Sequence, residues 1–204
     1  LAKLRDLRTL DLTRTPLGDA GLAALKGLTK LRSLKLRKTR ITDAGLAHLV
    51  ALTRLAHLNL EWNRISHLGL RHLRALPGLR SLNLNTTGAK DREMAEVGHH
   101  RKLEHLNLAG MKLGAFKLKP IEGLTRLRFL DLGPTNTTDY ELRYLKGLAQ
   151  LESLNLRGAL LKGRGLSHLA RLSRLRWLGL RETQVTPFAL KRFKAQRPEC
   201  VVHR

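Results

Sequence analysis

Few residues of this 204-residue chain are aromatic, acidic or sulfur-bearing. Each shortage argues against a class of protein. Cysteine occurs once, at Cys200, so no disulfide can form within the chain. Exported repeat arrays often close their ends with disulfides, and their absence weakly favours a reducing, cytoplasmic compartment. No run of eighteen apolar residues exists, which argues against a transmembrane helix. Zinc-ligand spacing, a nucleophile elbow and a phosphate-binding loop are all missing. Gly163-Arg-Gly165 lacks the strand-then-helix setting of a phosphate loop, and His99-His100 reads as surface or loop filling rather than ligation. No catalytic residue, cofactor or metal ligand is assigned, and a non-enzymatic chain is expected.

Acidic residues number 16 against 39 basic ones, a net charge of +23. Such a balance favours anionic partners: acidic proteins, nucleic acid or an anionic membrane surface. It has a second reading. Of the basic residues 25 are Arg, and a coding bias would raise Arg everywhere as merely solvated face. Composition does not separate the two.

What the chain has in abundance is leucine at fixed places. From Leu7 it repeats every 24 residues, eight times, with no insertion or deletion. Repeats begin at Leu7, Leu31, Leu55, Leu79, Leu103, Leu127, Leu151 and Leu175, and positions 1, 4 and 6 are always Leu. A fixed period of this length predicts a solenoid. In a solenoid each unit buries its apolar face only against its neighbours. One array is expected over 1–204: residues 1–6 end a truncated repeat, 7–198 hold eight repeats, and 199–204 close the array with a strand at Val201-Val202. The missing initiator Met and the match of Leu1–Asp6 to repeat positions 19–24 read as a piece of a longer protein.

Residues 31–54 show how a unit folds. Leu31, Leu34 and Leu36 point inward from a short strand and its flanks, while Ser33 and Lys35 alternate outward. Ile41 closes the turn. Thr42 is the expected N-cap of a helix with Asp43 in its first turn. Leu46 and Leu49 share a helical face, and Leu52 covers the bottom. Thr186-Pro187 repeats the cap, and Thr138–Glu141 reads as a capping box. Position 9 is mostly Thr or Asn, the expected polar ladder for turn backbone groups, with Met111 and Ala159 as its gaps. Irregularity is expected over 85–121, where Ala89, Val97, His100 and Pro120 depart from the pattern. Cys200 is expected to be a small buried residue.

The pattern LxxLxLxxTxITDAGLAxLxxLxx resembles leucine-rich repeats, most fully at Leu31, Leu34, Leu36, Thr39, Ile41, Thr42, Asp43, Gly45, Leu46, Leu49 and Leu52. It is similar to a bacterial subclass of GALA-type and ribonuclease-inhibitor-like repeats, without the F-box pattern that accompanies the GALA family. The resemblance implies an α/β fold: a right-handed curved solenoid with parallel strands on the concave face and short helices on the convex face. It also implies protein binding on the concave face.

Two surfaces carry candidate residues. On the concave face these are His57, Asn59, Glu61, Trp62, Asn83, His105, Asn107, Phe129, Asp131, Arg157, Trp177 and Arg181. Trp62, Phe129 and Trp177 are expected to face solvent, and Asn59, Asn83 and Asn107 to form a polar ladder. His57 and His105 lie two repeats apart, roughly 10 Å by strand spacing, too far to share a metal. The second surface is a basic stripe where the chain runs into the strands: Arg8, Lys30, Arg32, Arg54, Arg80, Lys102, Arg126, Arg128, Arg174 and Arg176. Such a row could track phosphates, although loop positions are polar anyway. Aromatics do not interleave with it, so base stacking is poorly supported.

The leading expectation is a monomeric, non-catalytic protein-interaction module whose partner has an acidic surface. Alternatives are a scaffold binding nucleic acid or another polyanion, and a substrate-recruiting or regulatory domain of an enzyme lying upstream. A salt titration separates the first two.

Overall fold

The computed structural model describes residues 4–88, 93–111, 113 and 118–204. Among these residues nine three-residue strands form one open, all-parallel sheet in sequence order. They are β1 Thr9–Asp11, β2 Ser33–Lys35, β3 His57–Asn59, β4 Ser81–Asn83, β5 His105–Asn107, β6 Phe129–Asp131, β7 Ser153–Asn155, β8 Trp177–Gly179 and β9 Val201–His203. Every pair keeps a 24-residue register, from Thr9 opposite Ser33 to Trp177 opposite Val201. The ladder runs past the strands. Position 2 and 3 amides donate to the previous repeat's position 2 carbonyl, as Arg32 and Ser33 do to Arg8. Position 8 amides donate to the next repeat's position 7 carbonyl, as Arg14 does to Arg37 at 2.8 Å.

The leucine rule builds the core. Positions 1, 4 and 6 are at most 2% exposed from Leu31 to Leu180. Leu7, Leu10 and Leu12, with only one neighbouring repeat described in full, are partly buried. Burying each such side chain contributes about 1.5–3 kcal/mol. The helices are short: α1 Asp19–Ala23, α2 Asp43–Leu46, α3 His67–His72, α4 Glu93–Val97, α5 Leu166–Leu169 and α6 Pro187–Gln196. Segments this short are not stable alone. They are held by inward leucines such as Leu46, Leu49 and Leu52. Pro120 stands in a single 3-10 turn, Lys119–Ile121, and its repeat has no α-helix among the described residues. Ala89 lies outside the described residues. Val97 and His100 are both buried.

The caps differ from expectation. Thr42 makes no side-chain cap. Its amide and hydroxyl instead donate to the Asp19 carboxylate of the previous repeat, at 2.8 and 2.6 Å. Ser66 repeats this on Asp43 at 2.7 and 2.5 Å. Asp139 accepts the Lys162, Gly163 and Gly165 amides. The 3-10 helix Glu141–Leu145 that follows it starts without a side-chain cap. Asp19 and Asp43 thus open their own helices, as expected of Asp43, and also clamp one repeat to the next. The clamp also explains the glycine two positions later: a Cβ on Gly45 would stand 2.3 Å from Asp19 Oδ1, and one on Gly69 2.4 Å from Asp43 Oδ1. Thr186 does cap α6, accepting from the Ala189 amide at 3.2 Å.

The position 9 ladder is mostly local. Thr15, Thr39, Thr87, Thr135 and Thr183 each donate to the position 6 carbonyl of their own repeat. Asn63 spans repeats, donating to the Leu36 and Leu60 carbonyls at 2.6 and 3.0 Å. Its Oδ1 accepts from the Thr39 amide and hydroxyl. Cys200 is buried beside β9, and burial pushes its thiol pKa up.

Candidate partner-binding surface

Strand pleating turns positions 3 and 5 of every repeat toward the concave face. Position 3 varies in size from repeat to repeat, and this shapes the surface. His105 and Phe129, on neighbouring strands, stack face to face with centroids 4.4 Å apart and planes 7° from parallel. Arg128 lies against the Phe129 ring at 5.8 Å. Burial pushes the His105 imidazole below its ordinary pKa, with Arg128 and His57 adding to the effect and Glu104 and Glu152 opposing it.

Ser153 follows Phe129 in the column, and Trp177 follows Ser153. The small side chain leaves a gap between two rings. Ser81 does the same on the far side of His105. The result is an open depression of about 380 Å³ whose lining includes Ser81, His105, Phe129, Asp131, Ser153 and Trp177. Ser81 and Ser153 were not singled out from the sequence, since they matter only as missing bulk beside aromatics.

The three expected solvent-facing aromatics divide. Trp62 is 51% exposed and Phe129 37%. Trp177 is half-buried. Its ring leans over Gly179 and lies 5.4 Å from the His203 ring on β9. A closing strand, not solvent, covers one side of it. Trp62 stands apart from the others, in the turn after β3 with φ of 58°.

The position 5 side chains serve the backbone first. Asn59, Asn83 and Asn107 each accept the amide two residues on, at 2.9 Å. Asp131 and Asn155 do the same for Gly133 and Arg157. The polar ladder is thus a row of turn-forming side chains with their oxygens engaged. Asn83 Nδ2 reaches Glu61 at 3.3 Å, and Glu61 pairs with Arg37 at 3.0 Å. Arg157 pairs with Glu182 at 2.7 Å on the exposed rim. His57 is exposed on β3, and Arg181 is exposed beside Glu182.

At the N-terminal rim of the strands every one of the ten candidate cations is exposed. Half of them have partners. Arg80 pairs with Glu104 at 2.6 Å and Arg128 bidentately with Glu152. Arg176 pairs with Glu199, Lys30 with Asp6, and Arg174 donates to Gln150. In repeats 4–8 acids at position 2 alternate with arginines, so that part of the stripe is a chequer; repeats 1–3 carry Arg8, Arg32 and Ala56 there and no acid. Among the described residues no three His, Cys, Asp or Glu side chains come together to hold a metal, and no helix is long and apolar enough to cross a membrane.

The leucine rich repeat family model matches residues 5–65 and 29–88. The same register and leucine spine continue through β9. Residues 5–88 match leucine-rich repeats, and the whole chain has the fold of a leucine-rich-repeat solenoid. No curated protein sequence matches it. Its fold is similar to that of internalin C2 from Listeria monocytogenes, with a TM-score of 0.80 and 24% identity over 98% of this chain and 82% of that one. A second Listeria monocytogenes internalin, internalin F, aligns with a TM-score of 0.47 and 21% identity, covering 89% of this chain and 69% of that one. Leucine-rich repeat folds of this kind are in general protein-interaction modules.

Proposed function

We propose that this leucine-rich repeat protein is a non-catalytic docking module that binds a partner protein on its concave sheet. The contact centres on the depression between the His105–Phe129 stack and Trp177. One observation carries the reading: two ring clusters flank a serine gap on an otherwise small and polar strand surface. Exposed rigid aromatics beside a recess are the features that anchor protein interfaces, because they bury much area at little entropic cost. Asp131 and Asn155 in the lining of the recess, and the exposed Arg157 and Arg181 two residues beyond the ends of β7 and β8, supply the polar surround.

Ser153→Trp tests this by filling the gap without touching the leucine spine. Proteins retained from source extract by the wild type but lost on Ser153→Trp would be identified, and their affinity measured by calorimetry. Phe129→Ala should then weaken binding at least tenfold, the range of an anchoring aromatic. Retention that is indifferent to Ser153→Trp and Phe129→Ala, yet lost on Arg126→Glu, refutes the concave reading and moves binding to the N-terminal rim.

A further inference from the structure

The C-terminal rim of the sheet, where the chain turns out of each strand, carries an uneven charge. In repeats 1–3 the turn segments Thr13–Pro16, Arg37–Arg40 and Glu61–Arg64 hold five basic residues and one acidic one. The five equivalent segments of repeats 4–8 hold three basic and one acidic among twenty residues. A coding bias toward Arg would spread cations evenly over equivalent turns.

Pairing sharpens the difference. The single acid, Glu61, is taken by Arg37 at 3.0 Å. Arg14, Lys38, Arg40 and Arg64 are exposed and make no ion pair among the described residues. Arg40 and Arg64 stand on consecutive inter-repeat bridges, opposite Gly18 and Thr42. Arg14, Lys38 and Trp62 occupy the same turn position in successive repeats, about 4.8 Å apart by the ladder spacing.

That shared position has a conformational cost. Arg14, Lys38 and Trp62 all adopt positive φ, at 60°, 51° and 58°. Side chains with a Cβ avoid this region, and glycine enters it freely. Repeats 5 and 7 use Gly110 and Gly158 there. Thr86 and Glu182 adopt positive φ too in repeats 4 and 8, at 52° and 59°, so the backbone shape is common along the array; what sets repeats 1–3 apart is that the position carries two long cations and the more exposed tryptophan.

We propose that the C-terminal rim of repeats 1–3 is a docking point for an acidic, extended segment of a partner protein, with Trp62 packing on an apolar residue between its carboxylates. A polynucleotide is the weaker fit. The cationic patch spans two ladder steps, roughly 10 Å, and stops at repeat 4, where Asn85–Gly88 carries no charge. That length accommodates a few carboxylates, whereas a nucleic-acid strand needs a continuing track and repeated stacking partners. The rim lies off the concave depression, so this site stands or falls apart from the one above.

The test uses a fluorescein-labelled, blocked peptide of alternating Glu with one central Phe, against an oligothymidylate of equal charge. Binding of both to the full chain is followed by anisotropy at low and physiological salt. The variant Arg14→Gly/Lys38→Gly/Trp62→Asn should lose at least tenfold in peptide affinity while melting at or above the wild-type temperature, because Gly and Asn tolerate positive φ. Arg40→Gln/Arg64→Gln, which leaves the strained position alone, should lose several-fold. The N-terminal rim variant Arg80→Gln/Arg128→Gln should bind as the wild type does. Equal peptide binding by wild type and the triple variant overturns the proposal. So does equal loss in the N-terminal rim variant, which would mean bulk charge alone. Tighter binding of the oligothymidylate that is lost in the triple variant overturns it in favour of a nucleic-acid site.

Discussion

Replacing His100 with leucine should remove a pH-dependent weakness from the fourth repeat. His100 fills the position held by Leu52, Leu76, Leu124 and Leu148 elsewhere, and it is 7% exposed. Burial lowers its pKa from 6.5 to about 4, with His99 adding to the shift and Glu96 and the Leu76 carbonyl opposing it. The folded protein therefore holds a neutral ring that the unfolded chain protonates below about pH 6.5. A depressed histidine pKa means the unfolded state binds more protons between pH 6.5 and about 4, so stability falls as pH falls through that window. At pH 4.5 the loss is about 2–3 kcal/mol relative to pH 7.5. In a chain of this size that is roughly 4–12 °C in Tm. Leucine leaves no polar atom to protonate, and the Leu76 carbonyl keeps its bond from the Leu79 amide at 3.3 Å. The assay is urea denaturation of wild type and His100→Leu from pH 7.5 to 4.5. Carboxylates common to both cancel in the difference. The two curves should diverge below pH 6.5, the variant being the more stable. Parallel curves over the whole range would refute the reasoning.

Two further changes probe the contacts between repeats. Asp43→Ala removes both bonds to Ser66 and should cost about 1–3 kcal/mol by the value of charged hydrogen bonds, whereas Asp43→Asn keeps one acceptor and should cost less. Denaturant midpoints check the order. Asn63→Ala strands the Leu60 carbonyl and the Thr39 amide inside the turn, while the Leu36 carbonyl keeps the Thr39 hydroxyl, and should cost about 2–4 kcal/mol. Hydrogen exchange should then quicken first at Thr39 and its neighbours, and uniform quickening along the array would contradict a local role.

The architecture was legible because the rule is redundant. Leu34, Leu58 and Leu82 obey one spacing and meet one environment, so any single repeat predicts the next. The Asp43 clamp was harder to read. Its carboxylate reaches 23 residues forward to Ser66, and a local reading assigns the same Thr–Asp pair to a helix cap. The companion glycine was the available signal: Gly45 and Gly69 are needed only if something packs against them. Position 5 was partly hidden for a related reason. Asn59 and Asn83 stand in the concave column expected to form a polar ladder, and each also closes the turn after its strand by accepting the amide two residues on.

The concave surface was less legible because its shape arises from differences between neighbours in space. Ser153 is unremarkable within its own repeat and becomes a recess only between Phe129 and Trp177, each 24 residues away. The same logic applies to charge. Arg80 and Arg128 read as free cations until Glu104 and Glu152, one register step on, are placed beside them. Arg14 and Lys38 have no such neighbour. In a solenoid the unit of functional meaning is therefore the column across repeats and not the motif within one. A cation in such a column is available to a partner when the positions above and below it fail to neutralise it, whatever the total charge of the chain.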